Sequence, residues 1–395
     1  MILFALALCS FAGQNIVTVT TPVSYRNPAL GTWEQSFQVV LGTASPTTTV
    51  IVLPGGPGAN TITPTLPVRY LGMPARWNAV LTDPRGAGCN IGPPASTFST
   101  DTLARDILTI IKQVQITDYL IFGASYGTVE ATTLESLIEA DPSVAKPRAV
   151  VLEGSIGHSW NGYQDYFQGF AYEWDRVKRS VLQPSTAGLF NASPYPLGLS
   201  SSDWALIISS QLAVGDTPGV GHALRALLEP INETAIRQTL AQVRAAAAQT
   251  APLLLAINCS ELTGSLRAGD LVGNELVLGT QEFCASGFTN RYDSASFQTT
   301  VPLYYFQGQA DPIVSAAQSM YHYLSHVNSR GSYVAIGNAG HEPFLRSLSA
   351  VGCAGPIWNA MASGSSLGSL LDACTLPYAM VERGPGQPLM LAPAP

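Results

Sequence analysis

The sequence predicts an α/β fold, in which a doubly wound, mostly parallel sheet is interrupted by an inserted helical cap. Short apolar runs that end in Gly-rich loops alternate with segments of helical spacing up to about residue 154. The same alternation resumes near residue 298. Between these two regions, helical patterns follow one another without convincing strands. We therefore expect one core built from two separated parts of the chain.

The five expected segments follow from this pattern and from composition. Only 11% of the 395 residues are charged, against about 25% in typical proteins, and the net charge of -7 is spread without acidic or basic runs. This composition argues against nucleic acid as a partner. The predicted segments are a signal segment at 1–12, the first core part at 13–154, the helical cap (hereafter the helical insertion) at 155–297, the second core part at 298–383 and a disordered tail at 384–395.

The N-terminus has features of an export signal. Residues 2–8 are uninterrupted apolar and lead into the small residues before Gly13, with a cleavage site expected near Ala12. This run is too short to span a bilayer, and no other run is long enough. A buried first strand and a lipid-modified Cys9 are the alternatives. We expect a secreted or cell-envelope protein.

The six cysteines show no metal-binding C-x-x-C spacing. If Cys9 leaves with the signal segment, five remain, and an exported chain would pair four of them. The simplest pairs join sequence neighbours and leave Cys89 as a buried free thiol. These pairs are Cys259 with Cys284 and Cys353 with Cys374.

Predicted strands lie on both sides of the helical insertion. Thr48 to Leu53 ends in four consecutive apolar residues, as strands buried on both faces do, and runs into the loop Pro54 to Gly58, whose glycines let the backbone approach a bound group. In the loop after the next strand, Asp83 and Arg85 are expected to form an ion pair. The predicted strands are 17–25, 36–41, 48–53, 79–82, 119–122, 149–152, 301–307 and 332–336.

The candidate nucleophile is Ser125. An apolar run at 119–122 leads directly into Gly123-Ala124-Ser125-Tyr126-Gly127 and then into a segment that can form a helix. A sharp strand-to-helix turn of this kind exposes the central serine and requires small residues two positions away on each side. A second G-x-S-x-G around Ser366 follows no strand-like run, so we do not assign it a catalytic role.

A serine needs a general base, and the base needs an anionic partner to orient it. Asp311 follows the predicted strand 301–307, and His341 follows the strand 332–336. The chain order Ser, Asp, His is that of the doubly wound α/β-hydrolase fold and excludes the two other common serine protease orders. Asp293 and Glu342 are the alternative acids.

The remaining histidines are assigned no catalytic role. His158 opens the helical insertion and His222 lies within it. His322 and His326 are four residues apart on one predicted helix, where they could hold a metal, but no third ligand lies nearby in sequence. We expect this pair on a solvated helix face. No metal or cofactor is required by the chemistry.

The charge of a tetrahedral intermediate needs preorganised backbone N–H donors. One is expected from Tyr126, the residue after the nucleophile, and the other from the glycine turn, at Gly56.

Five motifs follow one another along the chain: LPGGPG at 53–58, DPRGAG at 83–88, GASYGT at 123–128, GQADP at 308–312 and NAGHEPF at 338–344. With these motifs, the chain resembles the proline iminopeptidase branch of the α/β-hydrolases, and more closely its exported tripeptidyl aminopeptidase-like subgroup. The resemblance spans about residues 48 to 378, and the pair Cys353 and Cys374 also resembles that subgroup. Two positions depart from the family pattern: Pro54 replaces a frequent His, and Cys89 replaces a frequent Ser.

The resemblance implies a serine exopeptidase that removes residues from free peptide N-termini, with a helical cap over the site that supplies acidic groups for the substrate ammonium. Glu153, Glu173 and Asp175 are the candidates for that role. An esterase or lipase uses the same triad and is the main alternative, and a non-catalytic binding module on the same fold is a third. The sequence leaves the oligomeric state and the side-chain preference open.

Overall fold

The structure is a computed structural model, and its described residues fall in nine ranges. The predicted signal segment at 1–12, with Cys9, lies outside them, as does most of the predicted tail at 384–395. The described ranges are 15–43, 48–62, 71–160, 163–189, 196–214, 221–222, 224–226, 233–263 and 290–387.

Nine strands in the described residues form one sheet, in the order β1-β2-β4-β3-β5-β6-β7-β8-β9. The six strands from β4 across to β8 pair in parallel, whereas β1, β2 and β9 join antiparallel. The bounds are β1 Ile16–Pro22, β2 Thr32–Val40, β3 Thr49–Leu53, β4 Asn78–Thr82, β5 Tyr119–Ala124, β6 Val150–Glu153, β7 Leu303–Gly308, β8 Gly331–Ile336 and β9 Tyr378–Arg383.

Helices cover both faces of the sheet. Two helices pack on one face of the sheet: α1, and α2, the helix that follows Ser125. On the opposite face, α8 packs through Ile357 and Trp358. All six residues of β5 are buried, as expected for a central strand covered on both faces. The bounds are α1 Thr100–Val114, α2 Tyr126–Glu139, α3 Tyr163–Ser180, α4 Pro184–Gly188, α5 Ser201–Val214, α6 Glu233–Ile257, α7 Ala316–Ser325, α8 Ala354–Ser363 and α9 Gly368–Asp372.

The strand β9 is absent from the sequence prediction. It is an edge strand in which only Arg383 is buried, so it has no continuous apolar run that would reveal it. It pairs with β8 through Ile336 and Tyr378. The eight predicted strands are all present, with β2 beginning four residues earlier than expected.

The described elements between β6 and β7 are helical, as expected for the insertion. Four of the helices, α3 to α6, lie there, and they build a core of their own around Trp174, Val177 and Trp204. An isolated antiparallel bridge between His158 and Asp293 joins the two ends of the helical insertion at its base. The exact domain boundaries stay a prediction.

The expected ion pair between Asp83 and Arg85 is wrong. Arg85 is fully buried and forms a two-pronged pair with Asp106 on α1, with distances of 2.6 and 2.7 Å. Asp83 instead accepts hydrogen bonds from the backbone N–H groups of Thr61, Ile62 and Cys89. Sequence proximity suggested the pair, but each group found its partner in a distant segment.

Replacing Asp106 with Asn should destabilise the protein by about 3–5 kcal/mol, because it leaves the buried guanidinium of Arg85 without its anion. Urea unfolding followed by circular dichroism measures this. The matched control is Asp101→Asn, which breaks the pair with Arg105 on the same helix. Because these two side chains are 35% and 38% exposed, we expect a loss of less than about 1 kcal/mol. Equal losses in the two variants would contradict the prediction.

The cysteines agree with the sequence analysis in part. Cys353 and Cys374 form a disulfide with a Cα–Cα distance of 6.2 Å, which confirms that pair. Cys284 lies outside the described residues, so its pairing with Cys259 stays a prediction. Cys89 was expected to be buried, but it is half-buried at the end of its loop. No described helix is both long and apolar enough to cross a bilayer.

Candidate active site

Ser125 lies in the sharp turn that the sequence predicts. Its backbone angles, φ 55° and ψ -121°, are in a region that L-residues rarely adopt. The two flanking glycines are required by close contacts. A Cβ on Gly123 would lie 2.4 Å from the carbonyl oxygen of Gly127, and a Cβ on Gly127 would lie 2.2 Å from that of Leu53. Any larger residue would push β5, α2 and β3 apart.

The glycine loop after β3 lies against the nucleophile. A Cβ on Gly55 would be 3.1 Å from the Cβ of Ser125 and 3.7 Å from its Oγ. Gly56 has a φ of 116°, which only glycine adopts readily. Tyr126 is the first residue of α2, where backbone N–H groups lack partners within the helix. The loop therefore passes close enough to Ser125 to serve its chemistry, and the roles of Gly56 and Tyr126 remain predictions.

His341 and Asp311 meet at the ends of two neighbouring strands. The imidazole Nδ1 of His341 donates to Oδ2 of Asp311 at 2.8 Å. The other oxygen, Oδ1, accepts from the backbone N–H groups of Ile313 and Val314, and Gln307 donates its side-chain amide to Oδ2 at 3.2 Å. Asp311 is thus fixed by four hydrogen bonds in a position that orients the ring.

The electrostatics of His341 suit a general base. Burial, the largest effect, lowers the pKa of the imidazole, but the charge and hydrogen bond of Asp311 outweigh it, so the pKa is raised above its usual value. Because Nδ1 carries the proton towards Asp311, Nε2 is the acceptor nitrogen. Nε2 is buried and has no hydrogen-bond partner among the described residues, so it is available to take a proton.

Glu153 at the end of β6 links Ser125 to His341. Its backbone oxygen accepts from the N–H of Ser125 at 2.8 Å. Its neighbour Gly154 packs on the imidazole, since a Cβ there would lie 2.9 Å from Cε1 of His341. Two adjacent residues, Glu153 and Gly154, therefore contact Ser125 and His341 respectively. Sequence reasoning did not anticipate this link.

The side chain of Glu153 is fully buried, and its assignment as an ammonium anchor is therefore wrong. Oε1 accepts from the backbone N–H groups of Phe344 and Leu345, at 2.5 and 3.0 Å, in the helical turn that follows His341. Burial, reinforced by the nearby charge of Glu342, raises its pKa well above the usual value. Glu153 holds the loop of the base from beneath and has no access to substrate.

The two other predicted ammonium anchors lie on α3 with cationic partners. Glu173 is buried and pairs with Arg176 at 2.7 Å. Asp175 pairs with Arg179 and is nearly half exposed. The recorded partner of each carboxylate is an arginine on the same helix, so the sequence-based assignment gains no support.

Replacing Glu153 with Ala should lower stability by about 1–3 kcal/mol, because two buried N–H groups lose their acceptor. Glu153→Gln keeps Oε1 and mimics the neutral acid, so it should fold like the parent. The free energy of urea unfolding measures both variants. The raised pKa also has a pH consequence: the parent should lose stability as pH rises above the unfolded-state value of about 4.5, and the Gln variant should lose less. Equal losses in Ala and Gln would contradict this role.

The helical insertion contacts both the loop of His341 and the loop of Asp311. The backbone N–H of His341 donates to the carbonyl oxygen of Ala213 on α5 at 2.8 Å. On α3, Gly169 packs against Pro312, since a Cβ there would lie 2.3 Å from the Pro312 oxygen. Backbone contacts of this kind leave no signal in the sequence. The insertion therefore helps to position His341 and Asp311.

A third contact joins the insertion to Tyr126. The backbone N–H of Thr100, at the start of α1, donates to Oε1 of Glu261 at 3.1 Å, and its hydroxyl donates to Oε2. The Thr100 oxygen also lies 2.9 Å from the phenol of Tyr126. Since the hydroxyl proton of Thr100 is used by Glu261, the phenol is the donor in this contact. Tyr126, the residue after Ser125, is thereby connected to the insertion.

The remaining histidines lie elsewhere. His322 and His326 are each 1% exposed and their rings stack at 4.3 Å, so the expected solvated helix face is wrong. His322 contacts Thr132 and Tyr305. Burial lowers its pKa well below the usual value, so the helix buries a neutral ring. Among the described residues, no cluster of His, Cys, Asp and Glu could hold a metal ion.

The alternative candidates for the triad have other contacts. Ser366 lies in an exposed loop, where its hydroxyl donates to Glu382 at 3.1 Å. Asp293 accepts from the hydroxyl of Tyr321. Glu342 pairs with Arg346 at 2.9 Å. The carboxylate hydrogen-bonded to His341 is that of Asp311.

Comparison with known proteins identifies the fold. A sequence profile described as "alpha/beta hydrolase fold" matches residues 48–195, which include the elbow of Ser125. The sheet order and the inserted helices agree with it. The chain has the α/β-hydrolase fold. No curated protein matches the sequence.

Solved structures resemble this chain at low sequence identity. MGS-M2, an alpha/beta hydrolase enzyme from a Medee basin deep-sea metagenome library, has a TM-score of 0.50 at 10% identity, covering 84% of this chain and 93% of that one. Proline iminopeptidase from Mycobacterium smegmatis has a TM-score of 0.47 at 14% identity, with 88% and 99% covered. The esterase RhEst1 from Rhodococcus sp. ECU1013 has a TM-score of 0.47 at 15% identity, covering 84% of this chain and 96% of that one. Such likeness shows the fold alone.

A cavity of about 680 Å³ lies next to Ser125. It is lined by Ala124, the residue before Ser125, and by Gly55, where a Cβ would lie 3.1 Å from the Cβ of Ser125. Its other walls come from the ends of β3 and β5 and from the helical turn after His341. Most of the lining side chains are apolar, among them Val52, Leu53, Leu71, Phe122, Leu345 and Ala350.

Proposed function

We propose that the protein is a serine hydrolase in which Ser125 is the nucleophile, His341 the general base and Asp311 the acid that orients it. The observation that carries this proposal is the 2.8 Å hydrogen bond between His341 and Asp311, on loops adjoining the elbow of Ser125. The unpartnered Nε2 of His341 supports it, because this nitrogen must accept the serine proton.

The proposed reaction has two halves. Ser125 Oγ attacks the substrate carbonyl carbon while its proton moves to Nε2 of His341. The imidazolium, stabilised by Asp311, then gives that proton to the leaving group, and an acyl-enzyme forms. Water, deprotonated by His341, hydrolyses the ester and releases Ser125. Backbone N–H groups of Tyr126 and Gly56 would stabilise the oxyanion in both halves.

As substrate we propose peptides with a free N-terminus, from which an exported aminopeptidase would release residues or short peptides. The motifs that resemble exported aminopeptidases of this fold support this assignment. The helical insertion, which contacts the loops of His341 and Asp311, supports a covered site that takes chain ends. The disulfide between Cys353 and Cys374 fits an oxidising compartment.

A second candidate, an esterase acting on small acyl esters, is favoured by the mostly apolar cavity beside Ser125. The same triad would serve both activities. A panel of free amino-acid anilides, their N-acetylated forms and p-nitrophenyl esters separates them. Cleavage of free but not blocked anilides is the expected result, and equal cleavage of both would overturn the exopeptidase proposal.

Labelling with a fluorophosphonate tests the hydrolase proposal itself. We expect the probe to modify the parent protein but not Ser125→Ala. Absence of labelling in the parent would favour a non-catalytic binding module on this fold.

A further inference from the structure

The cavity beside Ser125 carries charge at one place. Of the described residues that line it, only Glu342 and Arg346 are charged. Glu342 directly follows His341, and Arg346 lies one helical turn further along the same segment. The carboxylates that the sequence suggested as ammonium anchors do not line this cavity. Glu153 is buried beneath the loop of His341, and Glu173 pairs with Arg176 on α3.

The geometry of this pair allows it to exchange partners. Oε2 of Glu342 accepts from Nε of Arg346 at 2.9 Å, and the two side chains are 29% and 49% exposed. Pairs this exposed contribute less than about 1 kcal/mol. A ligand cation that reaches Glu342 can therefore displace the guanidinium at small cost. Both charges also affect the pKa of His341: the carboxylate of Glu342 raises it and the guanidinium of Arg346 lowers it. Glu342 and Arg346 therefore lie close to His341.

We propose that Glu342 binds the positively charged α-ammonium of the substrate, with Arg346 as its resting partner. The proposal rests on the proposed serine hydrolase function and specifies the substrate charge that the site selects. When a single N-terminal residue is released, the ammonium is two bonds from the carbonyl carbon that Ser125 attacks. Its counter-ion must therefore come from a group close to His341, and Glu342 is the neighbouring residue in the chain.

The test compares substrates that differ only in charge. Alanine p-nitrophenyl ester carries a free ammonium, and N-acetylalanine p-nitrophenyl ester is neutral. Both acylate a serine hydrolase whether it is a peptidase or an esterase. In Glu342→Gln we expect kcat/KM to fall at least tenfold for the free ester and to stay within about twofold for the acetylated one, as for loss of one charged hydrogen-bond partner. Arg346→Gln should raise kcat/KM for the free ester only.

The matched control is Glu233→Gln, which breaks an i, i+4 pair with Arg237 of the same 2.9 Å length outside the cavity, and should change neither value. Equal losses for both esters in Glu342→Gln would overturn the role of Glu342 while leaving the hydrolase in place. Cleavage of esters but not of free anilides by the parent would instead overturn the peptidase assignment. If the parent hydrolyses neither ester, both the hydrolase function and the role of Glu342 are wrong.

Discussion

Replacing Ser125 with Ala is expected to lower kcat by about 10⁶-fold, the loss seen when the nucleophile of a serine protease triad is removed. Without Oγ no acyl-enzyme can form, and the remaining groups only bind and polarise the substrate. The fold should persist, because Ala has the same backbone restriction as Ser at φ 55°. Steady-state hydrolysis of the ester or anilide that the parent cleaves, together with thermal unfolding, measures both effects.

The sequence itself supplies the control for this experiment. Ser366 occupies the same G-x-S-x-G pattern but lies in an exposed loop bonded to Glu382. Ser366→Ala should therefore retain full activity. If Ser125→Ala keeps the parent rate, or if Ser366→Ala loses it, the assignment of the nucleophile is wrong.

Replacing Asp311 with Asn is expected to lower kcat by about 10⁴-fold, as the same change does in a serine protease triad. The amide cannot accept the Nδ1 proton of His341 as the carboxylate does, so the ring loses its tautomer and its orientation. The substitution preserves side-chain volume, so the loss should appear in kcat more than in stability. The measurement is kcat and KM on the same substrate.

The pH dependence tests the same contact. His341 acts as a base only when neutral, and Asp311 raises its pKa. In the parent, kcat/KM should therefore rise with pH through a midpoint above about 6.5, the ordinary histidine value. In Asp311→Asn the residual activity should have its midpoint at lower pH, because the imidazolium has lost its counter-ion. A midpoint that does not move would contradict the assigned acid.

Asp293→Asn is the control for Asp311, since sequence alone left both acids open. Asp293 bonds to Tyr321 and to the backbone N–H of Ala295, away from the imidazole. This variant should retain both the rate and the pH midpoint of the parent.

The sequence predicted those parts of the molecule that depend on local pattern. The elbow of Ser125 requires glycines at fixed offsets, and the contacts of Gly123 and Gly127 show the steric reason. The loops of Asp311 and His341 each follow an apolar strand, and strands that pair in parallel bring their carboxyl ends to one edge. Local pattern and topology together were therefore enough to predict that Asp311 and His341 lie close to each other.

The errors concern partners that lie far apart in the chain. Arg85 pairs with Asp106 rather than its near neighbour Asp83. Glu153 turned inward to accept two backbone hydrogen bonds, and His322 faced the core rather than solvent. In each case burial was decided by the packing of other elements, which a single sequence does not specify. The edge strand β9 was missed because half-exposed strands carry little apolar signal.

The hydrogen bond between Ala213 and the main chain of His341 has a kinetic consequence. If α5 moves when a ligand enters or leaves, this hydrogen bond breaks, and one of the constraints on the position of His341 is lost. The proposed enzyme would then be inactive while α5 is displaced. The acyl-enzyme would be hydrolysed only after α5 has returned to its closed position. The turnover rate would therefore depend on the rate at which α5 closes as well as on the rates of the chemical steps.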